Sequence, residues 1–175
     1  TAEAATLVST LAGGDATVEA TETINVNAVI NSSSQRRNRN TLTFQDENSD
    51  NRLTINLNAL ITLGRRQTLT GEGTTINVAV TDPGIVQNAV ALAATGATVN
   101  LGAGTYQEGS EVRLSRDITL TGAGAGNTQL DGNNAHRVLR VNRGVTARLN
   151  NLTVTQGRSR LGGGIYNQGT LTLNG

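Results

Sequence analysis

Thr23-Ile24-Asn25-Val26-Asn27-Ala28-Val29-Ile30 aligns without a gap on Thr54-Ile55-Asn56-Leu57-Asn58-Ala59-Leu60-Ile61, and Thr75-Ile76-Asn77-Val78-Ala79-Val80 returns to the same pattern. Each copy alternates apolar and polar residues, which is the signature of a strand with one buried face. A single strand of this kind cannot hide its apolar side. Copies stacked on one another can, and that is the logic of a solenoid. The alignment predicts parallel strands in register, about 4.8 Å apart. Ile24, Ile55 and Ile76 then share one inward column, and Val26, Leu57 and Val78 share the next. Asn25, Asn56 and Asn77 also fall in one column. They could form a ligand-binding row. The preferred reading is a structural ladder whose amides hydrogen-bond from coil to coil within the solenoid.

Composition supports short stacked layers. Aromatic residues make up only 2% of the chain, and Trp, Met and Cys are absent. The core must therefore be filled by Ile, Val, Leu and Ala, which suits a narrow interior. Thr and Asn are abundant, Gly reaches 21 and Pro appears once, a strand-and-turn composition with too little charge for disorder. Without Cys there are no disulfides and no thiol chemistry, which is compatible with secretion. All 14 basic residues are Arg, and the net charge of +1 gives no global field favouring nucleic acid or an acidic membrane. The halves differ: residues 1–82 hold six Arg against nine acids (−3), and residues 83–175 hold eight against four (+4). No stretch reads as a signal peptide or a membrane span, so membrane insertion of this segment is not expected. The chain begins without Met and stops within the strand-like Leu171-Thr172-Leu173, so the expectation is a piece of a longer protein.

A second short strand precedes each Thr-Ile-Asn copy: Thr17-Val18-Glu19-Ala20, Thr41-Leu42-Thr43-Phe44 and Thr68-Leu69-Thr70. The repeating unit is thus at least two strands and a bend. Two polar insertions, residues 31–40 and 45–51, are expected to loop outwards. Asp82-Pro83 breaks the pattern. With Asp82 as N-cap and Pro83 at the first helical position, residues 84–94 read as one short amphipathic helix ended before Gly96. The expected division is 1–82, N-terminal coils, and 83–175, further coils preceded by this helix. Strand patterns resume at residues 98–101, 111–114, 117–120, 128–130, 138–141 and 152–154. Residues 146–151 realign on 170–175 one coil later.

The segment Ile85-Val86-Gln87-Asn88-Ala89-Val90, followed by residues 97–106 ending in Gly104-Thr105-Tyr106, and the stretch Ile118-Thr119-Leu120-Thr121-Gly122-Ala123-Gly124 resemble the opening of pectin-lyase-like right-handed parallel β-helices. In that family a short helix precedes the first coils, and the Gly-Thr-Tyr turn follows the first strand. Leu161-Gly162-Gly163-Gly164-Ile165-Tyr166-Asn167 resembles the repeats of bacterial polymorphic outer-membrane proteins. The N-terminal units resemble coils of filamentous-haemagglutinin-type exoproteins. The resemblance implies an all-β fold, a single-stranded right-handed parallel β-helix with one short α-helix. It spans lyases, hydrolases, adhesins and phage tailspikes, so it does not choose an activity.

Reactive residues are sparse. The best cluster is Asp131, His136, Arg137 and Arg140, with Asp117 one strand earlier, and it holds the only His. A β-helix lyase or hydrolase needs clustered carboxylates with Ca²⁺ or a basic partner on an outer face. Leu130-Asp131-Gly132-Asn133 is also an ordinary solvated Asp-Gly turn, which is the preferred reading. No catalytic residue, metal site or cofactor is therefore assigned. The run Gln35-Arg36-Arg37-Asn38-Arg39 lacks the interleaved aromatics of a nucleic-acid site and reads as an exposed loop. Thr-x-Thr pairs at 41/43, 68/70, 119/121, 153/155 and 170/172 raise the possibility of a flat ice-binding array. Their irregular separations, and the β-propensity of Thr, favour plain strand surface.

The expected function is a structural or adhesive segment of a large secreted bacterial surface protein, forming a stiff rod or filament. Its partners would be flanking coils or another copy stacked end to end, with surface glycans as a second class. The alternatives are a polysaccharide lyase or hydrolase of the pectin-lyase type, with its site around Asp131 and Arg137 or outside this segment, or a tailspike-like glycan-binding module.

Overall fold

A computed structural model describes residues 14–32 and 39–175. It is a parallel β-solenoid of about six turns with one short helix. The first coil comprises β1 (Ala16–Ala20), β2 (Thr23–Val26) and β3 (Ile30–Asn31), and the second β4 (Thr41–Asp46), β5 (Thr54–Leu57) and β6 (Ile61–Thr62). The third has β7 (Thr68–Gly71), β8 (Gly73–Val78) and the helix α1 (Ile85–Leu92). Then come β9 (Ala93–Leu101), β10 (Gly104–Tyr106) and β11 (Val112–Leu114), and after them β12 (Ile118–Gly122), β13 (Thr128–Asp131) and β14 (Leu139–Val141). The stack closes with β15 (Thr146–Asn150), β16 (Thr153–Thr155), β17 (Ile165–Asn167) and β18 (Thr170–Asn174).

One sheet runs the length of the described stack, in the order β2-β5-β8-β9-β12-β15-β18. Its register is that of the sequence alignment. Ile24 pairs with Ile55 and Ile55 with Ile76, while Val26, Leu57 and Val78 occupy the next column. Val99 and Leu101 extend both columns across residue 83, after a bulge near Gly73. Thr146–Asn150 pairs residue for residue with Thr170–Asn174. Two three-stranded sheets, β1-β4-β7 and β10-β13-β16, and a third, β11-β14-β17, supply the other walls. The period of two sends Ile55, Leu57, Ile76, Val99 and Leu120 inwards, each fully buried.

The helix is an in-line replacement for strand. Its apolar stripe of Ile85, Val86, Ala89, Val90 and Leu92 is buried. Its polar side chains complete the ladders it interrupts: Asn88 Oδ1 accepts from the Ile61 amide at 2.9 Å, and Gln87 Oε1 from the Arg113 amide at 2.9 Å. Side-chain carbonyls thus stand where a strand would offer backbone carbonyls. Gly71 lets β7 approach the helix end, because a Cβ there would lie 2.7 Å from the Leu92 carbonyl oxygen.

Several expectations need correction. The helix covers Ile85–Leu92 rather than 84–94, because Ala93 is already extended and enters β9 directly. Asp82 is not its N-cap. Gly84, left-handed at φ 97°, holds that position without a side-chain bond, and Asp82 contributes only its backbone carbonyl, to the Ile85 amide. The loop expected at 45–51 begins two residues later, since Gln45 and Asp46 belong to β4. Asp46 is buried and folds the loop back by accepting from the Asn48 amide at 3.1 Å. Gly104-Thr105-Tyr106 is a strand paired with β13, not a turn. Val154, in the strand pattern of residues 152–154, is only half-buried, because little packs beyond the last coil. Arg36, Arg37 and Asn38 of the basic run lie outside the described residues. Among the described residues, no helix is long and apolar enough to cross a membrane.

Candidate functional site

The four cluster residues lie at the junction of β13, β14 and the turn between them, and each is engaged by the fold. Asp131 is 5% exposed, so the turn is not solvated at its carboxylate. Its Oδ1 accepts from the Asn133 amide at 2.7 Å, and its Oδ2 from Gln107 Nε2 at 3.2 Å. Asn133 and Asn134 take left-handed conformations, as a tight Asx turn requires. Asp117 sits apart and accepts from the Thr146 amide at 2.7 Å, fixing the start of β15.

His136 bridges two coils. Its Nε2 lies 2.6 Å from the Glu108 carbonyl oxygen and its Nδ1 2.8 Å from that of Arg137. Carbonyl oxygens only accept, so a ring nitrogen that bonds either of them does so as the donor. Glu108 in turn closes the helix. Its carboxylate accepts from the Val86 amide at 3.0 Å and the Gln87 amide at 3.4 Å, in the place expected of Asp82. Burial pushes the Glu108 carboxyl above its usual range. The amides of Val86, Gln87 and Gly84, and the charge of His136, offset part of that rise.

Arg137 is a clamp. It donates to Glu111 at 2.6 Å, to the Gly162 and Leu161 carbonyls at 2.9 and 2.8 Å, and to Ser159 at 3.1 Å. Its guanidinium also lies 4.6 Å from the Tyr166 ring centre. It thereby ties the 157–164 loop to the preceding coil. Arg140 donates to Gln168 at 3.0 Å and flanks the same ring at 5.5 Å. The sequence reading missed Glu111, which also meets Arg113 at 2.9 Å. Coil spacing was the available signal, since Val112 pairs with Leu139 and Arg113 with Arg140. Among the described residues, no three His, Cys, Asp or Glu side chains converge to hold a metal ion.

The Asn column makes a continuous ladder. Asn56 donates to Asn25 at 2.7 Å, Asn77 to Asn56 at 2.8 Å and Asn100 to Asn77 at 2.9 Å. Thr121 takes the next rung, and Asn174 donates to Asn150 at 2.9 Å. A shorter ladder joins Asn58 to Asn27 at 2.8 Å. These side chains stand on the outward face, where Asn25 is exposed, rather than inside the solenoid. At the last coil the core opens to solvent. A cavity of about 360 Å³ is lined there by Leu149, Leu152, Val154, Ile165 and Leu173. No family model matches the chain, and neither a curated protein nor a solved structure matches it.

Proposed function

We propose that the chain is a structural or adhesive segment of a secreted bacterial surface protein, a stiff rod of the pectin-lyase-like and exoprotein-repeat type. One observation carries this reading: the polar side chains that could do chemistry are spent on holding coils together. Asp131 shapes a turn, His136 joins two carbonyls, Arg137 clamps a loop, and the Asn row bonds to itself. A carbohydrate-cleaving site would need two carboxyl groups facing a common groove, and these residues do not supply that pair.

The partner on this reading is a further coil, from the same polypeptide or another copy. Leu173 is 62% exposed beside the open cavity. Asn174 donates backwards to Asn150, so its carbonyl oxygen is the next acceptor of the ladder. An uncovered strand edge of this kind templates pairing. The extracellular surface is the location that goes with this reading, and a chain without Cys is compatible with it. Two measurements test the reading together. Purified chain should release no product from pectate, alginate or other acidic glycans. It should sediment as end-to-end assemblies whose size grows with concentration, and Leu173→Arg should reduce them. Product release abolished by Asp131→Ala would overturn it in favour of an enzyme. A strict monomer at every concentration would remove the assembly.

A further inference from the structure

We propose that the outward face of the long sheet is a binding surface for ordered water, that is, for ice. Thr23, Thr54, Thr75, Thr98 and Thr119 occupy one column over five successive strands. The Thr-x-Thr pairs weighed from sequence concealed this row, because its members come from Thr-x-Asn and Thr-x-Thr units alike. Two residues along each strand runs the Asn ladder, Asn25, Asn56, Asn77 and Asn100, continued by Thr121.

The column hydroxyls are not used by the described part of the fold. Elsewhere Thr hydroxyls serve the fold: Thr74 donates to the Leu53 carbonyl at 3.2 Å, Thr128 to that of Gly102 at 3.0 Å, and Thr153 to that of Ala125. None of the five in the column has a partner among the described residues. They are also held in place. Thr is stiff at χ1, the strands are pinned in register, and side-chain ladders are what keep stacked sheets flat. The entropy of ordering the surface is therefore spent in folding rather than in binding.

Geometry and chemistry select the occupant. Parallel strands repeat about every 4.8 Å, so five rungs span about 19 Å. Hydrogen-bonded hydroxyl oxygens lie about 2.75 Å apart, so two oxygens bonded to one tetrahedral water are roughly 4.5 Å apart. The hydroxyl row therefore nearly matches the second-neighbour spacing of a tetrahedral water lattice. The five rungs carry no charge, and Arg148 in the sixth is the first to break the row. The face offers a sugar polymer no aromatic ring to stack on. Phe44 and Tyr106 are buried, and the Tyr166 ring is flanked by Arg137. An uncharged, rigid, non-aromatic array of hydroxyls suits a neutral periodic surface.

The test compares the wild-type chain, Thr75→Tyr in the centre of the row, and Thr105→Tyr on the exposed face of β10. Each is exposed to a slowly growing ice surface and to small single ice crystals near their melting point, with circular dichroism confirming the fold. Wild type and Thr105→Tyr should enter the ice and facet the crystals, and Thr75→Tyr should be excluded. Exclusion of the wild-type chain, or equal incorporation of Thr75→Tyr, overturns the proposal. So does Thr75-dependent retention on crystalline cellulose or chitin without entry into ice, which would make the face a glycan surface.

Discussion

At the residue scale, the side chains that matter most are the smallest departures from a repeating pattern. Leu57 is fully buried between Val26 and Val78. The narrow interior cannot close around its loss, so Leu57→Ala should cost about 2–5 kcal/mol by chemical denaturation. An unchanged midpoint would mean that the coils are loosely packed. Gly71 tests the join between strand and helix, because Gly71→Ala drives a methyl group against the Leu92 backbone. That variant should melt at lower temperature than Gly109→Ala, whose new methyl meets nothing. The inward columns were legible residue by residue, because a period of two and an in-frame repeat leave one solution. The partners of Asp131, His136 and Arg137 were not. Apart from the Asn133 amide and the Arg137 carbonyl, these lie 22 to 28 residues away on neighbouring coils, and nothing local specifies them.

At the element scale, the Asn ladder and the helix each make a measurable claim. Asn77 both donates to Asn56 and accepts from Asn100, whereas Asn25 makes only the terminal bond. Asn77→Ala should therefore lose about two net hydrogen bonds, each worth roughly 0.5–1.5 kcal/mol, and Asn25→Ala no more than one. Equal losses would show that the ladder follows the fold without supporting it. The helix was legible in its existence and its apolar face, but its ends were not. Local capping rules pointed to Asp82, while the fold uses Glu108, which lies past β10. Removing it leaves buried amides unpaired, so Glu108→Ala should cost about 1–3 kcal/mol. Its acid response has a definite sign. The folded carboxyl titrates above its ordinary value of 4.5, so the native state binds that proton more tightly than the unfolded chain. The resulting stabilisation is full below that value and fades as pH rises through the folded one. The stability advantage of wild type over Glu108→Gln should accordingly shrink from acid to neutral pH. An advantage that grew would reverse the assignment.

At the scale of the whole molecule, the two polarities of the chain sit in one solenoid. The seven-stranded sheet passes residue 83 without interruption, and a single buried cluster runs from Ala16 to Leu149. The long-range architecture was readable because stacking makes distant pairs equivalent to a repeat in sequence. The outward Thr row was readable only in part: the repeat aligns Thr23, Thr54 and Thr75, but coil lengths vary from 21 to 31 residues and only the register adds Thr98 and Thr119. Everything else rests on that register, and isoleucine methyl NMR reads it directly. With the Ile δ1 methyls labelled, cross-relaxation should link Ile24 to Ile55, Ile55 to Ile76 and Ile30 to Ile61, with no direct link from Ile24 to Ile76. Ile55 without contact to either neighbour, or a direct link between Ile24 and Ile76, would contradict the parallel in-register stack.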